Sequence, residues 1–484
     1  MINFDDLFEA LTDLHSEGTE RYFSGAEIDS RQVLNGKLFI AIPGEHVDGH
    51  SFVAQAFRSG AAAALIEHIL DQKETADVNF VSLDLRKDSK LDLKIYHAAI
   101  SMNLPVCFLV ENTVAALQKI AAYWRRKLNL RVIGITGSVG KSTTKEAVAA
   151  VLSQRYQTLK SAANLNNEIG LPLNILRLTP SDERAVLEMG FYVPGEIKLL
   201  CDIAQPQVGI ITNIGTVHAE RAGSLEMIAS GKAELVEALP AGPDGIAILN
   251  YDDPYIQPMR SRTTARVFYY GMTPQADLWA DEIVGFGLEG IQLKLHYQDQ
   301  VITIRVPMIG RHSAQTVLRA AAAGLVEGLN WEEITRGLQE KKESLRLSVI
   351  KAKSGAVIID DTYNASPDST LAALDLLVDM PGKKIAVLGD MLELGQYERE
   401  GHEKVGTRAA QAADILITLG TRARMIAGSA KVAGMAPANI IENSEKEPII
   451  RWLNDNLTAE HTVLIKGSHG LHMEQIVAAL ELSQ

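Results

Sequence analysis

The strongest constraint on this chain is the run Thr136-Gly-Ser-Val-Gly-Lys-Ser-Thr-Thr144. An apolar run at 131–136 precedes it, and a helical run, KEAVAAVLSQRY, follows. Strand, glycine loop and helix in that order are the context a phosphate-binding loop needs. Glycines let the backbone curl until its N–H groups face phosphate oxygens, and the helix N-terminus adds partial positive charge. In such a loop Lys141 reaches the β- and γ-phosphates, and the Ser142 hydroxyl serves magnesium. The common spacing, G-x-x-x-x-G-K-[ST], asks for glycine at 135, where Ile135 stands. The glycine sits instead at Gly137, giving a compressed G-x-x-G-K-S. A glycine-rich turn with a chance lysine is the competing reading. The coincidence of strand, glycines, lysine, serine and helix argues against it.

At roughly 100–200 residues per domain, 484 residues suggest three domains. The apolar share of 46% and charged share of 22% allow large cores. A formal charge of −13 disfavours a general nucleic-acid binder, which needs a basic face. Cys107 and Cys201 are far apart, beside apolar segments, and read as reduced core thiols. The acidic, amphipathic start is unlike a signal peptide, and no apolar run is long enough for a membrane span. A cytoplasmic protein is the expectation.

Three regions differ in texture. Residues 1–111 hold short apolar runs at 37–42 and 52–66, the second read as a helix then a strand. A charged segment, about 68–103, looks inserted there, although 78–83 reads as a strand. Residues 112–343 alternate strands and helices, with strands at 131–136, 185–189, 208–212 and 247–250. That rhythm signals an α/β fold, a doubly wound parallel sheet with helices on both faces. Residues 279–306 alternate like antiparallel strands and read as a small β-addition. Residues 344–484 repeat the strand–helix rhythm as a second Rossmann-like unit, with strands at 356–360, 384–388, 415–419 and 462–465.

Metal ligands and charge neutralisers for phosphoryl transfer belong at the carboxyl ends of such strands. Glu188 ends the run AVLEM, and His218 follows the strand at 208–212. Taken alone, Glu188 also reads as a solvated loop acid and His218 as a packed histidine. The run Asn164-Leu-Asn-Asn-Glu-Ile-Gly170 brings Asn164, Asn166 and Asn167 together as a polar ligand surface, or as an Asn-rich turn. Lys232 lies in a helical run, where composition favours a solvated lysine.

Together these pieces resemble the Mur ligases, ATP-dependent amide-forming enzymes of peptidoglycan synthesis. The compressed loop, NLNNEIG, Glu188, NIGxxH with His218, and Lys232-Ala-Glu234 follow in family order. Asp360-Asp-Thr-Tyr-Asn-Ala-Ser-Pro367, Gly389-Asp-Met-Leu-Glu-Leu-Gly395 with His402, and Lys466-Gly-Ser468 resemble the member that adds D-alanyl-D-alanine to UDP-N-acetylmuramoyl-tripeptide. Asp29-Ser-Arg31 and GKLFIAIPGEHVDGH resemble the family's uridine-nucleotide domain. The resemblance covers nearly the whole chain apart from about 68–103. It implies that Gly137, Ser138, Val139, Gly140, Lys141, Ser142 and Thr143 cradle the ATP phosphates. It places His312, Arg346 and Asp361 on the nucleotide, and Ser30, Arg31, Asn164, Asn166 and Asn167 on the substrate. It further implies two magnesium ions, one on Ser142 and Glu188, the other on His218 and a carbamylated Lys232, in a monomer. A sister ligase adding lysine or diaminopimelate is the nearest alternative, and a P-loop ATPase without ligase chemistry is a more distant one.

The chain departs from the family pattern in three places. Ser313 and Thr316 stand where two asparagines are usual after Gly310-Arg-His312, which touches adenine recognition. Phe191-Tyr192-Val193 replaces smaller and amide residues near the expected substrate path. His469 replaces the arginine of K-G-S-R, a titratable imidazole for a permanent cation.

Overall fold

A computed structural model describes the chain except for residues 33, 45–46, 72–74, 87–91, 218, 341–347 and 482–484. Three large sheets succeed one another along the sequence, besides a two-stranded ladder of Ile2–Asn3 with Tyr22–Phe23. The first has five parallel strands in the order Ala26–Glu27, Leu38–Ile40, Ala63–Ile66, Val106–Leu109, Val81–Asp84. The charged segment 68–103 is built into it. It supplies the edge strand Val81–Asp84 and the helix Leu93–Ser101, which buries Tyr96 against Phe8. Its weak patterning has a physical cause: an edge strand and a surface helix each leave much of their length in water.

The central sheet has nine strands. From Thr158–Lys160 through Arg184–Glu188, Arg131–Thr136, Val208–Ile211, Ile246–Asn250 and Arg266–Gly271 to Leu278–Gly285, all pairings are parallel. Ile291–Tyr297 and Gln300–Val306 then add antiparallel strands at that edge. The alternating residues 279–306 are thus a β-addition to the edge of the central sheet, antiparallel as the alternation suggests. The alternation arises because Leu293 and Leu295 point into the core while Gln292 and Lys294 do not.

The third sheet has six strands, ordered Ser348–Lys351, Val357–Asp361, His461–Lys466, Lys383–Gly389, Ile415–Leu419, Ile440–Asn443. Only the first pairs antiparallel.

Helix Thr113–Lys127 joins the first two units. It packs on helix Phe4–Thr12 on one side and on Gly170–Ile175 and Glu196–Ala204 on the other. Its Leu117, Ile120 and Trp124 lie in one apolar cluster that runs from Ile2 to Leu235. Buried Arg125 on this helix ends all its donors on carbonyls. Nε meets Ala204 at 2.9 Å, Nη1 Leu128 at 3.1 Å and Nη2 Leu130 at 3.0 Å. The third sheet has apolar clusters of its own on its two faces. No helix among the described residues is long and apolar enough to cross a membrane.

Candidate active site

The site gathers at the carboxyl ends of the central strands, where a doubly wound sheet opens its crevice. Ile135 is a fully buried strand residue, paired with Glu188 on one side and Ile210 on the other. The strand continues to Thr136, so the turn needs its glycine at 137. Gly137 has φ 146°, and a Cβ there would collide with the Thr212 side chain. Gly140 caps the helix Lys141–Leu152 with φ 82°. Thr212 donates its hydroxyl to the Val139 carbonyl at 2.7 Å. Asn213 accepts the N–H of Ser138 on its carbonyl at 3.0 Å and that of Val139 on its side chain at 2.8 Å. Ser138 and Val139, expected to donate N–H groups to phosphate, therefore spend them on the protein. Helix geometry gives the N–H groups of Lys141, Ser142 and Thr143 no acceptor one turn back, which makes them the donors for an anion.

Around the loop lies a compact polar cluster. Lys141 Nζ donates to the Gly137 carbonyl at 2.8 Å. The Ser142 hydroxyl donates to Glu188 Oε2 at 2.8 Å, and Asn166 Nδ2 donates to Glu188 Oε1 at 2.9 Å. Glu188 is only 1% exposed, and its N–H donates to the Ser161 hydroxyl at 3.0 Å. A hydroxyl and a buried carboxylate this close offer the oxygen donors a hard divalent cation prefers. Asn167 is different: its side chain accepts from the Gly170 N–H at 2.8 Å and shapes the turn into helix Gly170–Ile175. Asn164 Nδ2 donates to the Tyr363 hydroxyl at 2.5 Å, across to the third unit.

Lys232 is 2% exposed on helix Leu225–Glu237. Its Nζ sits 4.5 Å from the Phe191 ring centroid, and no hydrogen bond or ion pair joins it to any described residue. Burial first, and the nearby Lys141 charge second, hold its amine well below the usual lysine range. Phe191, flagged in sequence as a change in the substrate path, is the apolar wall of this pocket. Gly231 makes room for its ring. Tyr192 and Val193 are exposed.

The third unit brings its own strand ends to the same side. Asp361 accepts from buried Lys466 at 2.6 Å across adjacent strands, and Lys466 also donates to the Asn364 carbonyl at 2.8 Å. His402 Nε2 accepts the Met391 N–H at 3.1 Å, so its proton sits on Nδ1, donated to the Glu398 carbonyl at 2.7 Å. Burial lowers its pKa, and the neutral ring braces the GDMLELG turn. That turn meets the central unit where Glu220 N–H donates to the Glu393 carbonyl at 3.1 Å. His312 is exposed at the start of helix Ser313–Val326. Ser313 and Thr316 are buried. The Ser313 hydroxyl donates to the Ile309 carbonyl at 2.7 Å, while Thr316 accepts from Arg319 at 3.1 Å. His218 and Arg346 lie outside the described residues.

The first sheet holds a separate site at its own carboxyl ends. Ser30 is buried, and exposed Arg31 forks onto Asp29 at 2.9 and 2.8 Å, pulling that carboxyl down to about 2. Asp48, His50 and His68 cluster nearby at the ends of the next strands. His50 Nε2 accepts the Glu67 N–H at 2.8 Å, so Nδ1 carries the proton toward Asp48 at 2.6 Å. Both ring nitrogens are engaged, which makes this a brace and not a metal centre.

Sequence reasoning missed Thr212 and Asn213 as the backing of the loop, Lys466 as the partner of Asp361, and Arg319. A lone cation in the run LRAAAAG was the available signal for Arg319.

Residues 23–124 match the Mur ligase family, catalytic domain, residues 135–324 the Mur ligase middle domain, and residues 345–469 the Mur ligase, glutamate ligase domain. The UDP-N-acetylmuramoyl-tripeptide–D-alanyl-D-alanine ligase of Bacillus subtilis is 35% identical over 94% of this chain and 93% of its own. A crystal structure of MurF from Acinetobacter baumannii superposes with a TM-score of 0.81 at 28% identity, covering 98% of this chain and 97% of its own. MurF ligase from Thermotoga maritima in complex with ADP gives 0.77 at 26% identity, covering 96% and 98%.

Proposed function

This chain belongs to the Mur ligase family, and we propose that it joins D-alanyl-D-alanine to UDP-N-acetylmuramoyl-tripeptide at the expense of ATP. One observation carries the reading. Lys141, Ser142, Glu188 and Lys232 converge on one crevice in a chain matched over 94% of its length by a relative with that name. The ADP complex of the Thermotoga relative supports nucleotide binding, and the phosphate loop is the seat we assign to it.

The tripeptide carboxylate attacks the γ-phosphorus, giving an acyl phosphate and ADP. The dipeptide amine then attacks the acyl carbon, and phosphate leaves as the amide forms. Lys141 and the first turn of helix Lys141–Leu152 bind and orient the phosphates. Asn166 holds Glu188 in place from one oxygen while Ser142 approaches the other. Asn164 and Tyr363 tie the third unit across the crevice, which excludes water from the acyl phosphate. Asp361 is suited to the ribose and His312 to the base, with Arg346 beside the phosphates. Ser30, Arg31 and Asn167 serve the uridine-nucleotide substrate or its peptide.

Magnesium would be held by Ser142 and Glu188, with a second ion on His218 and a carbamate of Lys232. There it supplies charge neutralisation of the phosphates. Lys232 fits that role chemically. Only a neutral amine adds CO₂, and burial without a counter-ion disfavours the charged form of this amine. The reading includes a monomer working in the cytoplasm on soluble nucleotide substrates. The sister ligase for diaminopimelate is disfavoured because its D-N-P-R signature does not occur in this chain.

Phosphate release should require UDP-muramoyl-tripeptide and D-alanyl-D-alanine together, and product mass should show the pentapeptide. Equal release with lysine, or with no acceptor at all, would sink this reading.

A further inference from the structure

Arg319 lies on helix Ser313–Val326 in a run of alanines, 5% exposed, directly behind the phosphate loop. Nη1 donates to the Thr212 carbonyl at 2.9 Å and Nη2 to the Thr316 hydroxyl at 3.1 Å. Nε, equally buried, has no acceptor among the described residues. No carboxylate among them forms an ion pair with this guanidinium. The buried Tyr270 side chain, a neutral phenol, is a further neighbour, its ring centroid 6.0 Å from the guanidinium carbon. A Cβ placed on Gly140 would lie 3.5 Å from Nη2, so the cation sits just under the last glycine of the loop.

Buried arginines elsewhere in the chain are treated differently. Arg125 has every donor group on a carbonyl, and half-buried Arg131 and Arg184 share Glu327. A guanidinium cannot shed its proton, so burial without a counter-charge carries a free-energy cost that no pKa shift relieves. That cost falls when an anion arrives close by. The one place built for an anion here is the N-terminus of helix Lys141–Leu152, on the open side of Gly140.

We propose that Arg319 is a positioning residue for the nucleotide. Held under Gly140, its fixed charge binds the phosphates of ADP and ATP, and the unfavourable burial in the free protein is offset when they occupy the loop. Thr316, where the family pattern has asparagine, is the acceptor that aims it. The inference rests on the nucleotide reading above, but the assignment of this residue is separate from it.

The test is ADP binding by calorimetry, with melting followed with and without ADP, on the full chain carrying Arg319→Met or Arg319→Lys. Without nucleotide, R319M should melt at or above the unsubstituted chain. It should bind ADP roughly ten- to a hundredfold more weakly, the range of a charge-assisted contact, with R319K in between. The ADP-induced rise in melting temperature should shrink accordingly. An R319M chain that binds ADP as tightly as the parent overturns the proposal. So does one that melts far lower or does not fold without nucleotide, because either result makes Arg319 structural. Failure of the parent itself to bind ADP would instead overturn the nucleotide reading.

Discussion

Two lysines on different helices of the central unit are both almost wholly buried, and they are treated in opposite ways. Lys145, 1% exposed, donates to the Ser161 carbonyl at 3.0 Å and lies 3.3 Å from Glu146. Lys232, 2% exposed, faces an aromatic ring and a second lysine. The first charge is compensated and holds the structure that carries Glu188, because Ser161 also receives the Glu188 N–H. The second is uncompensated, and its environment lowers the pKa of the amine, by burial first and the Lys141 charge second. Burial alone therefore does not mark a functional lysine; burial without a partner does.

The largest expected contrast is in activity. Lys232→Met should lower ligase turnover by about a hundredfold or more, the scale of losing a metal-supporting or charge-stabilising group. A short external carboxylate should restore part of it in Lys232→Ala. Full turnover of the alanine variant without additives would break the comparison. Lys145→Met should do the reverse. It should cost about 1–2 kcal/mol of stability in denaturant titration, since Ser161 loses its donor while Glu146 keeps Lys160, and turnover should persist. A third expectation concerns pH. The folded Lys232 amine has a lowered pKa, so above that value and up to about 10.4 the unfolded chain binds the extra proton. Stability in CO₂-free buffer should therefore rise with pH through that window, and Lys232→Met should flatten the rise. A rise unchanged in the variant would assign it elsewhere. The smallest effect belongs to Tyr363→Phe, which removes the acceptor for Asn164. Initial-rate kinetics should show KM raised about threefold at unchanged kcat, the scale of one partly exposed hydrogen bond.

Much of this site was legible in the sequence because its chemistry is local. The loop, its helix and the strand-ending Glu188 follow from residue order, and even Ile135 makes sense once the strand is known to continue through Thr136. What was hidden depends on contacts between distant segments. Lys232 reads as solvated because one lysine in an amphipathic helix normally is. Only the Phe191 ring and its Gly231 notch bury it. Phe191 was noticed as a departure near the substrate path, with no sign in the sequence of its contact with Lys232. Arg319 was missed, since nothing in its own helix points to the loop it underlies. The antiparallel residues 279–306 were recognised as strands, but alternation does not say which sheet they join.

Helix Thr113–Lys127 carries one more consequence. Because its apolar face closes a single cluster from Ile2 to Leu235, the first sheet and the phosphate-loop sheet should melt together, whereas the third sheet has its own cores. A lesion at Trp124 should then weaken both of those sheets at once, while a lesion under the third sheet should leave the phosphate loop folded.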